Sequence, residues 1–165
     1  QENLTVNKSL KVSKKEILDD FLLMNVSRNI SYIGRKEVFM GRAKFGVFGD
    51  GKELPQIAMS KFFRNGDFRS GYYRDQTFMM SINQLTPDQF FAQLYAHTDI
   101  KKDPHSGGRQ MNCHFGTRLL NENGDWKTQT DMMNSVSDIS CVSGQMPRIV
   151  GLAYASKLYL SLIHI

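Results

Sequence analysis

Between residues 98 and 135 the sequence is polar and almost free of periodic apolar signal, although the segments on both sides carry it clearly. An irregular stretch of that length is unusual inside a compact domain, and where one occurs it commonly carries function. The fold is thereby constrained to helices on either flank with a long loop accommodated among them.

The flanking pattern is helical. Ser13 followed by Glu16 has the spacing of a capping box, in which side chains and backbone amides at a helix start satisfy one another. Ile17, Leu18, Phe21, Leu22 and Leu23 then recur at helical spacing, which predicts a helix over 14–32 ending before Gly34. Residues 41–53 hold four glycines and read as a loop; they lack the Gly-Lys-Ser/Thr ending of a phosphate loop. A second helix is predicted over 54–64, with Ile57, Met59, Phe62 and Phe63 apolar. Arg69 to Tyr73 reads as a short strand and Thr77 to Ser81 as helical. Thr86-Pro87-Asp88-Gln89 is a strong helix start, with Thr as cap and Pro in the first turn; it predicts a helix over 87–97 that buries Phe90, Phe91 and Leu94. A last helix over 146–159 should bury Ile149, Val150, Leu152 and Ala153. Gly151 in its interior costs about 1 kcal/mol relative to Ala, and close approach of a ligand or another backbone would account for it.

Composition excludes several classes. With 41% hydrophobic and 22% charged residues, the chain has the apolar content of a folded domain rather than of a disordered one. No stretch approaches the roughly 18 apolar residues of a membrane span. The first residues lack the apolar core of a signal peptide. The net charge of +5 and pI near 9.3 fit a solvated surface with mild basic excess better than a nucleic-acid partner, because no long basic run occurs. Two cysteines, Cys113 and Cys141, are too few for a disulfide framework, and a reducing, cytoplasmic setting is expected. Residues 1–12 read as a polar tail and 13–159 as one domain.

Three stretches can carry chemistry. In Gly71 to Gln76, the pair Tyr73-Arg74 offers a forked cation and a hydroxyl to a phosphate, with Asp75 placed to fix the arginine. In Ser106 to Gly116, Gly107 and Gly108 permit a tight turn that would present amides beside Arg109; His114 is a candidate proton carrier or hydrogen-bonding group. In Ser140 to Pro147, a polar loop enters a helix N-terminus, which favours an anion or a cofactor's polar edge. Surface ion pairing, a structural histidine and simple helix capping explain each stretch taken alone.

In order, Tyr-Arg-Asp (Tyr73 to Asp75), Gly-Arg-Gln-Met-x-x-His-x-Gly (Gly108 to Gly116) and Ser-x-x-x-x-Gln-x-Pro-x-x-x-Gly-x-Ala-Tyr-Ala (Ser140 to Ala155) resemble the alpha-type chain of thiamine-diphosphate-dependent 2-oxoacid dehydrogenases, in its branched-chain branch. The resemblance covers roughly residues 50 to 159. It implies an α/β thiamine-diphosphate-binding fold, present as an incomplete, helix-rich N-terminal piece lacking most of the sheet. It implies oxidative decarboxylation of a branched-chain 2-oxoacid with acyl transfer to a lipoyl group. The implied partners are a beta-type chain and a lipoyl-bearing acyltransferase.

By the same resemblance Tyr73, Arg74, Ser140 and Val142 are cofactor-binding positions, and Arg109 and His114 belong to a loop beside the site. Thiamine diphosphate, magnesium and potassium are the implied cofactors. Gln145 is the one side-chain ligand type of the potassium loop that is retained, since Cys141 and Gly144 replace the family's Pro and Thr. The magnesium motif is expected downstream of this sequence, and Gly49-Asp50-Gly51 is read as a loop. Residues 160–165 resemble translated sequencing adaptor and are expected to be foreign. Two other readings compete: a small basic nucleic-acid-binding module, motivated by Lys61-Phe62-Phe63-Arg64, and a non-catalytic interaction protein of the same fold.

Overall fold

The computed structural model describes the backbone of residues 12–163 and side chains through Tyr159. The polar tail expected over 1–12 and the side chains of the expected foreign tail lie outside the described residues, apart from Val12.

Helix α1, Lys14–Phe39, is the longest element. Ser13 caps it by accepting from the Glu16 amide at 3.1 Å. Only half of the predicted capping box forms, because the Glu16 carboxylate faces Lys61 instead. The helix runs past Gly34, where the sequence predicts a stop. A Cβ there would overlap the Phe48 ring, so Gly34 serves side-chain packing within a continuous helix. Helix α2, Glu53–Ser60, is joined to α1 by the Arg28–Glu53 pair at 2.5 Å. Arg28 holds the Glu53 carboxyl below its ordinary range.

Strand β1, Phe68–Ser70, pairs in parallel with β2, Asn134–Val136, in the register Phe68 to Asn134, Arg69 to Ser135 and Ser70 to Val136. Helices α3, Gln76–Ser81, and α4, Pro87–Leu94, lie between the strands in sequence. Thr86 and Gln89 form the complete capping box that the sequence predicts for α4. A single 3-10 turn, Gln129–Asp131, precedes β2, and α5, Gln145–Ile163, follows it. A parallel pair with helices in the connection is the βαβ arrangement of α/β folds. Among the described residues these two short strands are the whole sheet.

The core gathers Phe78, Met79, Met80, Leu85, Phe90 and Phe115 around α3 and α4. Phe90 is fully buried and Phe91 partly so, as the period of α4 requires. In α5 the expected burial is not found, and the apolar stripe of α1 faces outward. Ile17, Leu18, Phe21 and Leu22 of α1 are exposed, as are Ile149, Val150 and Ala153 of α5; only Leu152 is half-buried. In α2 and just beyond it, Ile57 is buried while Met59 and Phe62 are exposed. No helix among the described residues is long and apolar enough to cross a membrane.

Candidate functional site

The two strands end side by side, and the sequence that leaves each of them builds the site. In a parallel α/β sheet the carboxyl ends of strands are where ligands bind, because loops diverge there and leave a crevice. From β1 the chain enters Gly71-Tyr72-Tyr73-Arg74; from β2 it enters Ser137-Asp138-Ile139-Ser140.

A buried cation holds these exits together. Arg69 donates to the Ser135 hydroxyl at 2.6 Å, to Asp75 Oδ2 at 2.8 Å and to Asp138 Oδ2 at 3.0 Å. Its guanidinium lies 5.7 Å from the Phe115 ring centroid. Asp138 is completely buried and also accepts from the Phe115 amide at 3.1 Å. Charges taken so far from water are tolerated only when paired and hydrogen-bonded. Gly71 makes the arrangement possible, since a Cβ there would overlap the Arg69 guanidinium. Asp75 therefore fixes Arg69 and the Tyr72 amide, not Arg74 as its position in the sequence implies.

Arg74 is left outside this network. It is exposed, its guanidinium lies 5.6 Å from the Tyr73 ring centroid, and it makes no ion pair among the described residues. The Arg74 carbonyl is fixed by Gln56 Nε2 at 2.9 Å, and Gly49 packs so closely against it that a Cβ would collide. The Tyr72 hydroxyl donates to that of Tyr73, which pushes the Tyr72 phenol above its ordinary range. Asp50 is engaged by Arg35 at 2.6 Å, so Gly49-Asp50-Gly51 is a structural loop.

The long irregular segment enters the interior. Asp103 is fully buried; its carboxylate accepts from the amides of His105, Ser106 and Gly108 and from the Ser106 hydroxyl at 2.6 Å. Gly107 and Gly108 have φ of 57° and 75°, the left-handed conformation glycine adopts readily. Their turn does form, but the Gly108 amide points at Asp103, so the expected amide cradle for an external anion is already filled by the chain's own carboxylate. Arg109 is exposed and donates to the Ser106 carbonyl at 3.3 Å. Arg109 and His114 line a cavity of about 200 Å³, together with His105, Gln110 and Asp138.

His114 joins the motifs. It is buried, its ring stacks on Tyr73 with centroids 6.3 Å apart and planes 19° apart, and its Nε2 lies 2.7 Å from Ser140 Oγ. Residues 73, 114 and 140, far apart in sequence, thus meet at the strand ends. Val142 does not join them: it is exposed in the turn before α5. Gln145 begins α5, its backbone carbonyl accepts from Ser70 at 3.3 Å, and its side-chain Oε1 is buried without a partner. An orphaned buried acceptor of this kind fits a cation or a water. No cluster of three His, Cys, Asp or Glu suited to a metal exists among the described residues, and the residues present do not fit a magnesium site.

Cys113 is fully buried and burial pushes its thiol up, so it packs as a small apolar group rather than acting as a nucleophile. In Lys61-Phe62-Phe63-Arg64, Lys61 is neutralised by Glu16 and Asp20 at 2.5 and 2.8 Å, and Phe63 packs edge-on against Phe78. That leaves little of a basic-aromatic platform.

Arg69, Asp138 and Asp103 are the residues that sequence reasoning missed. Asp103 had a readable signal: an aspartate two and three residues before amides it can accept from, with Pro104 and Ser106 between and after, is Asx-turn spacing. Asp138 had none, since its partners come from residues 69 and 115.

The sequence was also compared with known proteins. The sequence profile of a family described as "dehydrogenase E1 component" matches residues 23–158. The chain is 26% identical over 153 residues to the "2-oxoisovalerate dehydrogenase subunit alpha" of Bacillus subtilis (strain 168), covering 92% of this chain and 41% of that relative. The chain thus spans about 41% of the length of the curated relative it matches.

Proposed function

Because the chain belongs to the dehydrogenase E1 component family, we propose that it forms part of the thiamine-diphosphate site of a branched-chain 2-oxoacid dehydrogenase. The observation that carries this reading is the meeting of Tyr73, His114 and Ser140 at the ends of two parallel strands, beside an Arg74 guanidinium that no carboxylate claims. An unpaired arginine at such a place is a donor for a diphosphate. Tyr73 adds a hydroxyl, and the N-terminus of α5 adds a partial positive charge.

In this reading thiamine diphosphate supplies the electron sink for decarboxylation when bound, and the protein supplies position and electrostatics. Tyr73 and Arg74 would hold the diphosphate, Ser140 would contact the cofactor near its reactive centre, and Arg109 and His114 would line the neighbouring cavity. Val142, exposed in the turn before α5, would be a further cofactor contact, and Gln145, with its unpartnered oxygen, a potassium ligand. Magnesium would be held by residues other than those described here. The proposed activity is oxidative decarboxylation with transfer of the acyl group to a lipoyl arm. The proposed partners are a beta-type chain that completes the cofactor site and a lipoyl-bearing acyltransferase; the proposed setting is cytoplasmic.

The reading is tested by calorimetric titration of the 165-residue chain with thiamine diphosphate and magnesium. Arg74 contributes roughly 1.5–3 kcal/mol through a charged hydrogen bond, against the ~8 kcal/mol of micromolar affinity. The chain alone should therefore bind weakly, in the millimolar range, and not decarboxylate 2-oxoacids; addition of a beta-type chain should tighten binding. Micromolar binding by the chain alone would overturn the division of the site between two chains.

A further inference from the structure

We propose that His114 is a positioning residue that fixes the polarity of the Ser140 hydroxyl, so that Ser140 meets its ligand as a hydrogen-bond acceptor and recognises an N–H donor. The argument begins at the other ring nitrogen. Nδ1 of His114 lies 3.1 Å from the Asn112 carbonyl. A carbonyl only accepts, so Nδ1 carries the hydrogen. In the neutral ring this leaves Nε2 with a lone pair and no proton. The 2.7 Å contact between Nε2 and Ser140 Oγ then needs its proton from the serine. A hydroxyl has one proton; with that proton directed at His114, only lone pairs remain for anything approaching from solvent.

The surroundings of His114 keep its ring and the Asn112 carbonyl in place. The Asn112 carbonyl is placed by its own side chain, which donates to the Val47 carbonyl at 2.6 Å and accepts from the Val47 amide at 2.8 Å. Gln93 donates to the His114 carbonyl at 2.7 Å, and Tyr73 stacks on the ring. Cys113, between Asn112 and His114, has φ of 60°. A non-glycine residue persists in that conformation where the surroundings over-determine it. His114 is 2% exposed while Ser140 is open to solvent, so the pair joins a buried acceptor to an accessible hydroxyl.

The ligand class follows. Ser140 has no proton to offer an anionic oxygen and accepts instead from an amino, amidine or amide N–H. This separates its chemistry from that of Arg74, which offers protons to a phosphate. Only the identity of the donor, the amino group of the cofactor's pyrimidine ring, rests on the function proposed above.

The test is two-bond ¹H–¹⁵N correlation of the imidazoles in the full chain labelled at histidine, with His114 assigned by loss of its signals in His114→Asn. The expected result is the Nδ1–H form, with Ser140→Ala moving the Nε2 resonance and leaving Nδ1 protonated. An Nε2–H form, or an Nε2 resonance indifferent to Ser140→Ala, would overturn the proposal. Addition of thiamine diphosphate with magnesium should move Nε2 further without changing the tautomer. An Nδ1–H form that the cofactor leaves untouched would uphold the polarity of the pair and count against the cofactor reading alone.

Discussion

The strand ends and the outer helices of this molecule invert the usual distribution of side chains. At the strand ends the buried groups are polar: Arg69, Asp138, Asp103, Gln76, Asn112 and His114. On the outer faces of α1 and α5 the exposed groups are apolar, with Phe21 62% and Val150 68% exposed. Single exposed apolar residues need no explanation, whereas buried charges and clustered exposed apolar side chains do. The apolar core gathers around α3 and α4, while polar burial is concentrated at the strand ends. There every polar group was desolvated at a cost that its partners must offset. The outer faces of α1 and α5 carry no such network, although the inner face of α1 bonds α3 through Ser27 and Ser31.

The largest expected difference comes from changing one residue on each side. Asp138→Ala should lower unfolding stability by about 3–5 kcal/mol in urea titration, because it leaves Arg69 buried with only Asp75 as a charged partner. Val150→Ser should stay within roughly 0.5 kcal/mol and improve solubility. Glycines give a smaller version of the same comparison. Gly71→Ala forces a Cβ into the Arg69 guanidinium and should cost roughly 1–3 kcal/mol by overpacking. Gly151→Ala, where nothing among the described residues lies within 4 Å of the new Cβ, should stabilise α5 by up to about 1 kcal/mol in the same measurement. A destabilising Gly151→Ala would show that α5 is packed against something at that face.

The smallest effect is on pH dependence. Burial pushes His105 below the ordinary imidazole value of about 6.5, so the unfolded chain takes up a proton at a pH where the folded chain does not. Stability from this group is complete above about 6.5 and declines as pH falls through that value. The nearby acid effect is separable: Glu37 is held down to about 2 from 4.5 by Arg42, and its contribution is lost only below 4.5. His105→Gln should flatten the stability profile between those windows, and an unchanged slope there would remove His105 as its source.

Local signals were legible where local physics decides. The Thr86 box and the apolar period of α4 follow from short-range rules; β2, whose pairing with β1 is long-range, lies mostly in the stretch read as a loop. Gly34 was misread as a helix stop because its reason, the Phe48 ring, lies fourteen residues away in sequence. The apolar stripes of α1 and α5 were correctly recognised as helical, but periodicity says which face is apolar, not what covers it. At the site, residue types were readable and partners were not: Asp75 was assigned to its neighbour Arg74, yet the backbone turn at Gly71 delivers Arg69 to it instead. Three motifs in one order nevertheless located Tyr73, His114 and Ser140, which the fold brings together.

We propose that this strand-end cluster, not the outer helices or the basic surface, receives the ligand. It is tested most directly by following the amide ¹H–¹⁵N spectrum of the chain as thiamine diphosphate and magnesium are added to millimolar concentration. The account predicts shifts concentrated at residues 72–75, at His114 and along 138–145, with the first half of α1 unaffected. Shifts centred on residues 61–64 or on the outer faces of α1 and α5, with the strand ends silent, would contradict it.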